Sequence, residues 1–196
     1  MIKILHRVNT KKELLETNKA YGVEVDIRSH KEKLIIHHDP FCGGENFLDW
    51  ILAYDHQVLI LNVKEDGLED RLISIMIKQK IENYFFLDQS FPSLLKTINN
   101  GESRVAIRIS EFESMETAMN LQGKVDWLWI DCFSKFPLTK VQLDILRNEG
   151  RFKLCFVSPE LQGRKDKNSI ISLRKKIESF GIKGDAVCTK YPEIWE

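Results

Sequence analysis

Short apolar runs, rich in β-branched and aromatic residues, alternate with longer amphipathic stretches along the chain. This alternation is typical of strands and helices that follow one another in turn. It predicts eight strands, over residues 2–6, 22–28, 57–64, 84–88, 104–108, 127–131, 153–157 and 185–189. It predicts helices over residues 10–20, 68–79, 92–99, 114–120, 138–148 and 168–180, and one further extended piece over residues 34–38.

Eight strands with interposed helices favour a (β/α)8 barrel, the TIM barrel, as a single compact α/β domain over residues 1–196. The alternative is a doubly wound open sheet, but no glycine-rich phosphate loop follows the first strand. Gly150 and Gly181 come directly after two predicted helices, where a left-handed C-cap is expected. In a TIM barrel the active site lies at the carboxyl ends of the strands, so the polar residues there are the candidates for chemistry.

Charge and composition exclude several classes of partner. The 29 basic residues balance the 29 acidic ones, so we expect neither a nucleic acid nor an anionic membrane as partner, because both need a basic surface. No apolar run approaches the roughly 18–20 residues of a transmembrane helix, and the first residues lack the apolar core of a signal peptide, so we expect a cytoplasmic protein. The four cysteines lie far apart without a CxxC pair, which predicts reduced thiols.

Two carboxylates, Glu24 and Asp26, lie two residues apart in the second predicted strand. Their side chains therefore leave the same face, and each raises the pKa of the other unless a cation lies between them. A hard divalent ion such as Mg²⁺ or Ca²⁺, which takes oxygen ligands, is the simplest such cation. The alternative is a solvated strand face paired with Arg28 or a neighbouring lysine.

Histidines end two extended segments: His6 closes the first strand, which lies next to the second strand in a barrel, and His38 with Asp39 closes the extra piece that follows the second strand. A histidine on each side of a metal-bound phosphate suits general acid–base cleavage of a P–O bond. One imidazole takes the proton of the nucleophile and the other protonates the leaving alkoxide. The alternative for each is a histidine held by a backbone carbonyl. The period of two in a strand turns His37 to the opposite face, which predicts a structural role for it.

These segments form an ordered pattern: LHR at 5–7, GVEVDI at 22–27 and LIIHHDP at 34–40. The pattern resembles that of the glycerophosphodiester phosphodiesterase family, which is HRG, a helix, G-x-E-x-D and a strand ending in HDP. The resemblance continues through LNVK at 61–64, QSF at 89–91 and DAVCTKYP at 185–192. It therefore extends, in order and spacing, over most of the chain.

The resemblance implies a TIM-barrel hydrolase that cleaves a glycerophosphodiester or a related small polar phosphodiester with one divalent metal ion, Mg²⁺ or Ca²⁺. Position by position, it implies catalytic roles for His6 and His38. It also implies that Arg7 and Lys64 contact the phosphate. It implies that the metal is bound by Glu24, Asp26 and Asn62, of which Asn62 contributes an amide as the third ligand.

Three positions depart from the family pattern: Val8 replaces the glycine of HRG, Asn62 replaces the third acidic ligand, and Lys190 replaces an acid near the end. Asn62 can coordinate through its amide oxygen, but it removes a negative charge and should weaken the metal site. These departures keep an alternative open, namely a non-catalytic or divergent barrel that binds a sugar phosphate or a nucleotide sugar.

Further charged residues at strand ends, Arg108, Asp131 and Glu160, are not markers of that family. Arg108 and Glu160 are candidate substrate-binding residues, because together they would make a substrate pocket rich in charge. Alternatively, these residues form ion pairs that brace the rim of the barrel.

Overall fold

The computed structural model describes residues 1–164 and 166–196, which form ten strands, seven α-helices and two short 3-10 helices. The strands are β1 (Ile2–Leu5), β2 (Gly22–His30), β3 (Lys33–Ile36), β4 (Glu45–Asn46), β5 (Leu59–Val63), β6 (Tyr84–Leu87), β7 (Ala106–Ile109), β8 (Trp127–Ile130), β9 (Lys153–Val157) and β10 (Ala186–Thr189). The helices are α1 (Lys11–Glu16), α2 (Phe47–Ile51), α3 (Glu69–Gln79), α4 (Phe91–Asn99), α5 (Met115–Met119), α6 (Lys140–Asn148) and α7 (Lys167–Ser179), and the 3-10 helices are Pro159–Gln162 and Pro192–Trp195.

The chain divides into two compact units, which we call unit I (His6–Glu102) and unit II (Met1–Leu5 with Ser103–Glu196). In unit I, β2 pairs in parallel with β5, and β5 pairs in parallel with β6. On its other edge β2 pairs with β3, and β3 with β4, both antiparallel. The register sets Asp26 opposite Asn62, so two predicted site residues leave neighbouring strands at the same level.

Unit II is built on five parallel strands in the spatial order β7, β8, β9, β10 and β1. Parallel strands covered by helices are buried on both faces and therefore consist of nearly continuous apolar residues. The segment WLWI of β8 is an example, since all four of its side chains are buried.

The α/β class and the alternation of strands and helices are confirmed, because each of the eight predicted strands overlaps a strand of a parallel pair. The extra piece at 34–38 corresponds to β3, which pairs antiparallel with β2. The pattern did not predict β4 or α2. A helix predicted to reach residue 20 ends at Glu16, because Thr17 is already extended and Asn18 accepts a turn hydrogen bond from the Ala20 N–H.

The two predicted glycine C-caps have different outcomes. Gly181 follows α7 with φ 66°, in the left-handed region, as expected. Gly150 does not adopt a positive φ; Arg151 does instead, with φ 58°. A Cβ on Gly150 would lie 2.6 Å from the ring of Phe152 and 2.7 Å from the carbonyl oxygen of Leu146. Close packing, rather than backbone conformation, therefore requires this glycine.

The described residues contain neither a helix that could span a membrane nor a disulfide. No helix within residues 1–164 and 166–196 is long and apolar enough to cross a bilayer. All four cysteines are free thiols; Cys42 is exposed, and Cys132, Cys155 and Cys188 are buried.

Candidate active site

Most of the predicted site residues of unit I, though not His38, are in contact with one another where β2 and β5 approach their carboxyl ends. We call Glu24, Asp26, Asn62 and Lys64, together with the segment 6–9 that follows β1, the carboxylate cluster. Glu24 and Asp26 are fully buried, and Asn62 is 4% exposed. The side chain of Lys64 is 15% exposed. A pair of carboxylates buried this deeply must be stabilised by donors or cations.

Glu24 accepts one hydrogen bond on each of its carboxylate oxygens. Asn62 Nδ2 donates to Oε1 at 2.7 Å, and the backbone N–H of Arg7 donates to Oε2 at 2.7 Å. His6 Nε2 lies 3.8 Å from the same Oε2. Arg7 adopts φ 59°, and the next residue, Val8, is buried and donates its N–H to the backbone oxygen of Glu24. The chain thus accommodates valine at the HRG glycine position, with Arg7 in the left-handed region.

Asp26 is held by an amide and by two cations. Asn9 Nδ2 donates to Asp26 Oδ2 at 2.7 Å, and Asn9 Oδ1 accepts from the Asp26 N–H at 3.0 Å. Lys64 Nζ lies 3.2 Å from Asp26 Oδ1 and 3.4 Å from Asp88 Oδ2. Arg7 Nε lies 3.6 Å from Asp26 Oδ2. The cationic groups of Arg7 and Lys64 therefore approach the acidic pair from two directions.

The pKa of Glu24 is raised from its ordinary 4.5 to about 7, mainly by burial and secondly by the charge of Asp26. The bonds from Asn62 and Arg7 and the charge of Lys64 lower the pKa in part. Near neutral pH, this carboxyl is therefore poised between its protonated and its charged form.

Two buried oxygens of the cluster, Asp26 Oδ1 and Asn62 Oδ1, accept no hydrogen bond from the described residues. Carboxylate and amide oxygens are the ligands that Mg²⁺ and Ca²⁺ prefer. The donor set of Glu24, Asp26 and Asn62 therefore fits a hard divalent ion. Within residues 1–164 and 166–196 no group of three or more His, Cys, Asp or Glu side chains is placed to hold a metal, so an ion here would depend on the amide as its third protein ligand.

His38 is oriented by the residue that follows it. Its Nδ1 lies 2.8 Å from Asp39 Oδ1, and this hydrogen bond lowers the pKa of Asp39 below its ordinary value. Because a carboxylate can only accept, Nδ1 carries the proton and Nε2 is the basic nitrogen. His37 differs: its Nδ1 accepts the Asp39 N–H at 3.0 Å and belongs to the local turn.

The remaining predicted residues, Arg108 and Glu160, lie in unit II. Arg108 Nη1 lies 3.5 Å from Asp131 Oδ2. Glu160 is 6% exposed and accepts from Thr189 Oγ1 at 2.6 Å, from the Lys190 N–H at 2.8 Å and from Ser158 Oγ. These contacts favour the bracing alternative for Glu160.

Sequence reasoning did not identify Asn9 and Arg28 as parts of this arrangement. Asn9 precedes the helix cap Thr10, so its local pattern predicts a helix start. The sequence suggests Arg28 only as a counter-ion of the acidic pair. The structure instead directs its guanidinium to the backbone oxygens of His38 and Lys64.

No family model and no curated protein matches the chain. Among solved structures, it is similar to a glycerophosphoryl diester phosphodiesterase from Parabacteroides distasonis, with a TM-score of 0.66, 12% identity, and coverage of 99% of this chain and 84% of that one. It is also similar to a glycerophosphodiester phosphodiesterase from Agrobacterium tumefaciens, with a TM-score of 0.62, 11% identity, and coverage of 100% and 99%. The resemblance seen in the motifs is thus confirmed at the level of the fold.

Proposed function

We propose that the chain is a phosphoric diester hydrolase, a closed (β/α)8 barrel over residues 1–196 that cleaves a glycerophosphodiester or a related small polar phosphodiester. The observation that carries this proposal is the buried pair Glu24 and Asp26, with His6, Arg7 and Lys64 within 4 Å of its oxygens. The fold shared with two phosphodiesterases and the motif order of the sequence support the same assignment.

Arg7 and Lys64 are the proposed phosphate contacts. Their cationic groups contact Asp26 over distances of 3.2–3.6 Å rather than through tight, saturated bonds. A phosphodiester that enters the cluster presents anionic oxygens. The cationic groups of Arg7 and Lys64 can then contact these oxygens in place of part of their contact with Asp26. Charge that develops on the phosphoryl oxygens is then stabilised by groups that are already in position.

His6 and His38 are the proposed acid–base pair. His6 Nε2 lies 3.8 Å from Glu24 Oε2, which places the imidazole beside the acidic pair, where we propose that it donates a proton to the leaving alkoxide. Asp39 holds the proton of His38 on Nδ1, which leaves Nε2 to accept a proton from the attacking hydroxyl or water.

The reaction is proposed to depend on one divalent ion, Mg²⁺ or Ca²⁺, held by Glu24, Asp26 and Asn62. The buried amide oxygen of Asn62, which accepts no hydrogen bond from the described residues, supports this assignment. Such an ion, when bound, lowers the pKa of a bound hydroxyl or water and offsets charge on the phosphate. Lys64 Nζ lies 3.2 Å from Asp26 Oδ1, so the ammonium and the ion would share this oxygen.

The test measures hydrolysis of bis(p-nitrophenyl) phosphate and of a panel of glycerophosphodiesters before and after treatment with EDTA. We expect turnover that is lost on chelation and restored by Mg²⁺, Mn²⁺ or Ca²⁺. Lys64→Met should abolish most of it, whereas Lys19→Met, which removes an exposed ion pair with Asp55, should not.

Full activity after exhaustive chelation would remove the metal from the proposal. A chain that turns over no diester, yet binds glycerol 3-phosphate or a nucleotide sugar in calorimetry, would overturn the hydrolase assignment in favour of a binding barrel.

A further inference from the structure

Arg28 lies on the same face of β2 as the acidic pair but has different partners. It is two residues beyond Asp26, so the period of the strand places all three side chains on one face. The Arg28 side chain is 16% exposed. Its Nε and Nη2 both donate to the backbone oxygen of His38, at 3.1 and 3.0 Å. These two hydrogen bonds from one guanidinium hold the backbone carbonyl of His38, the proposed catalytic residue, in place.

The same guanidinium also reaches the end of β5. Arg28 Nη1 donates to the backbone oxygen of Lys64 at 3.3 Å and lies 3.9 Å from Glu65 Oε2. The neighbouring Ser29 N–H donates to Glu65 Oε1 at 2.7 Å. One side chain thus connects β2 with the two segments that carry His38 and Lys64.

The segment after β3, residues 37–44, contains no buried residue. We call the hydrogen bonds by which Arg28 holds this segment in place its tether. Phe41 within it is fully exposed and adopts φ 61°, so the loop gains little from apolar burial. Apart from the Arg28 bonds, the His37 N–H donates to the Asp26 backbone oxygen at 3.2 Å. A planar fork of N–H groups can hold two carbonyls at once, which a lysine ammonium does with much less directional constraint.

We propose that Arg28 is a positioning residue of the reaction, which acts through His38 by holding the 37–44 segment against β2 and the end of β5. The inference rests on the proposed function, since it assigns Arg28 a part in that hydrolysis. Because a displacement of about 1 Å can cost up to 10²-fold in rate, loss of this tether should lower kcat and leave KM nearly unchanged.

A double-mutant cycle tests this assignment. We expect Arg28→Gln to lower kcat about tenfold or more in the wild-type background, and to cause almost no further loss in the His38→Ala background. Arg28→Lys should retain only part of the rate. The matched control is Arg71→Gln, which removes an arginine that also donates to a backbone oxygen, that of Glu32 at 2.7 Å, and which should leave kcat unchanged. Independent, multiplying effects of Arg28→Gln and His38→Ala would overturn the proposal.

Amide hydrogen exchange separates this inference from the proposed function. Exchange in residues 37–44 should be faster in Arg28→Gln and Arg28→Lys than in Arg71→Gln, and added guanidinium ion should slow it again in Arg28→Ala. Unchanged exchange in a folded Arg28 variant overturns the inference, whatever the activity. A wild-type chain without diesterase activity would overturn the proposed function, while faster exchange would still support the tether.

Discussion

Glu160 in unit II and Asp26 in unit I are both buried carboxylates near the carboxyl ends of parallel strands, but different kinds of group contact them. In unit II, Glu160 is bound by the hydroxyls of Ser158 and Thr189 and by the N–H of Lys190. These donors are short, uncharged and fixed to the backbone. A carboxylate held in this way connects segments of the chain and has little freedom to bind a ligand.

The carboxylate cluster of unit I is arranged differently. Two carboxylates lie on one strand, and Asp26 is approached by the long side chains of Arg7 and Lys64, which carry full charges. Lys64 also contacts Asp88, so its ammonium is shared between two carboxylates. The comparison teaches that burial alone does not mark a site. We place the proposed reactive site where the counter-charges are on long side chains and a buried oxygen, Asn62 Oδ1, accepts no hydrogen bond from the described residues.

The assignment of the reaction to unit I would be wrong if the histidines of this unit were dispensable. We expect His6→Ala and His38→Ala each to lower kcat by about 10²–10⁴-fold, as for positioned acid–base groups. His37→Ala should change kcat far less, because its imidazole caps a local turn. Steady-state kinetics on a diester, with melting curves to show that each variant is folded, measure this. An essential His37 with a dispensable His38 would reverse the assignment.

The bracing role assigned to unit II predicts a loss of stability rather than of activity. Glu160→Gln should lower the free energy of unfolding by about 1–3 kcal/mol, because buried donors lose their charged acceptor, and it should leave kcat unchanged. Asp26→Asn, by contrast, should cause a large loss of kcat. Urea denaturation and kinetics on both variants measure the contrast. A Glu160→Gln protein that is fully stable but inactive would assign Glu160 to the reaction.

Asn62 allows the charge of the cluster to be changed by a single side chain. Asn62→Glu should tighten Mg²⁺ binding on the order of tenfold, because hard cations respond to the number of charged ligands. Asn62→Leu, which has a similar volume but no oxygen, should weaken it. Calorimetric titration with and without glycerol 3-phosphate measures both, and the coupling between ion and phosphate should be smaller in Asn62→Glu. Equal metal affinity in all three proteins would show that residue 62 does not face the ion.

The last prediction concerns Glu24 and pH. Its pKa is raised to about 7 in the folded chain from an ordinary 4.5, so between these values the folded state holds a proton that the unfolded chain has released. In EDTA, the free energy of unfolding should therefore fall as pH rises through this window, by at most about 1.4 kcal/mol per pH unit, and level off above it.

Urea denaturation at several pH values between 5 and 8 measures this slope. Glu24→Gln has no such proton and should lack that part of the slope. Identical pH profiles in the two proteins would contradict the raised pKa.

The strands and most of the proposed site could be predicted from the sequence, because both depend on local order. An apolar run such as LILNV in β5 predicts a buried strand without reference to the rest of the chain. The spacing of Glu24 and Asp26 similarly places them on one face by strand geometry alone. Predictions that depend on neighbours in space are less reliable. The predicted left-handed conformation of Gly150 is wrong, because Arg151 adopts it instead and Gly150 is required by close packing.

The sequence by itself thus determined which strands form and which acidic, basic and imidazole groups stand at their ends. Only the tertiary structure decided the partners: that Asn9 pairs with Asp26, that Asn62 turns its nitrogen to Glu24, and that Arg28 binds two backbone oxygens. The physical reason is that a strand's side-chain period is local, whereas a hydrogen bond between residues 38 positions apart, such as that of Asn62 with Glu24, depends on the register in which two strands pair.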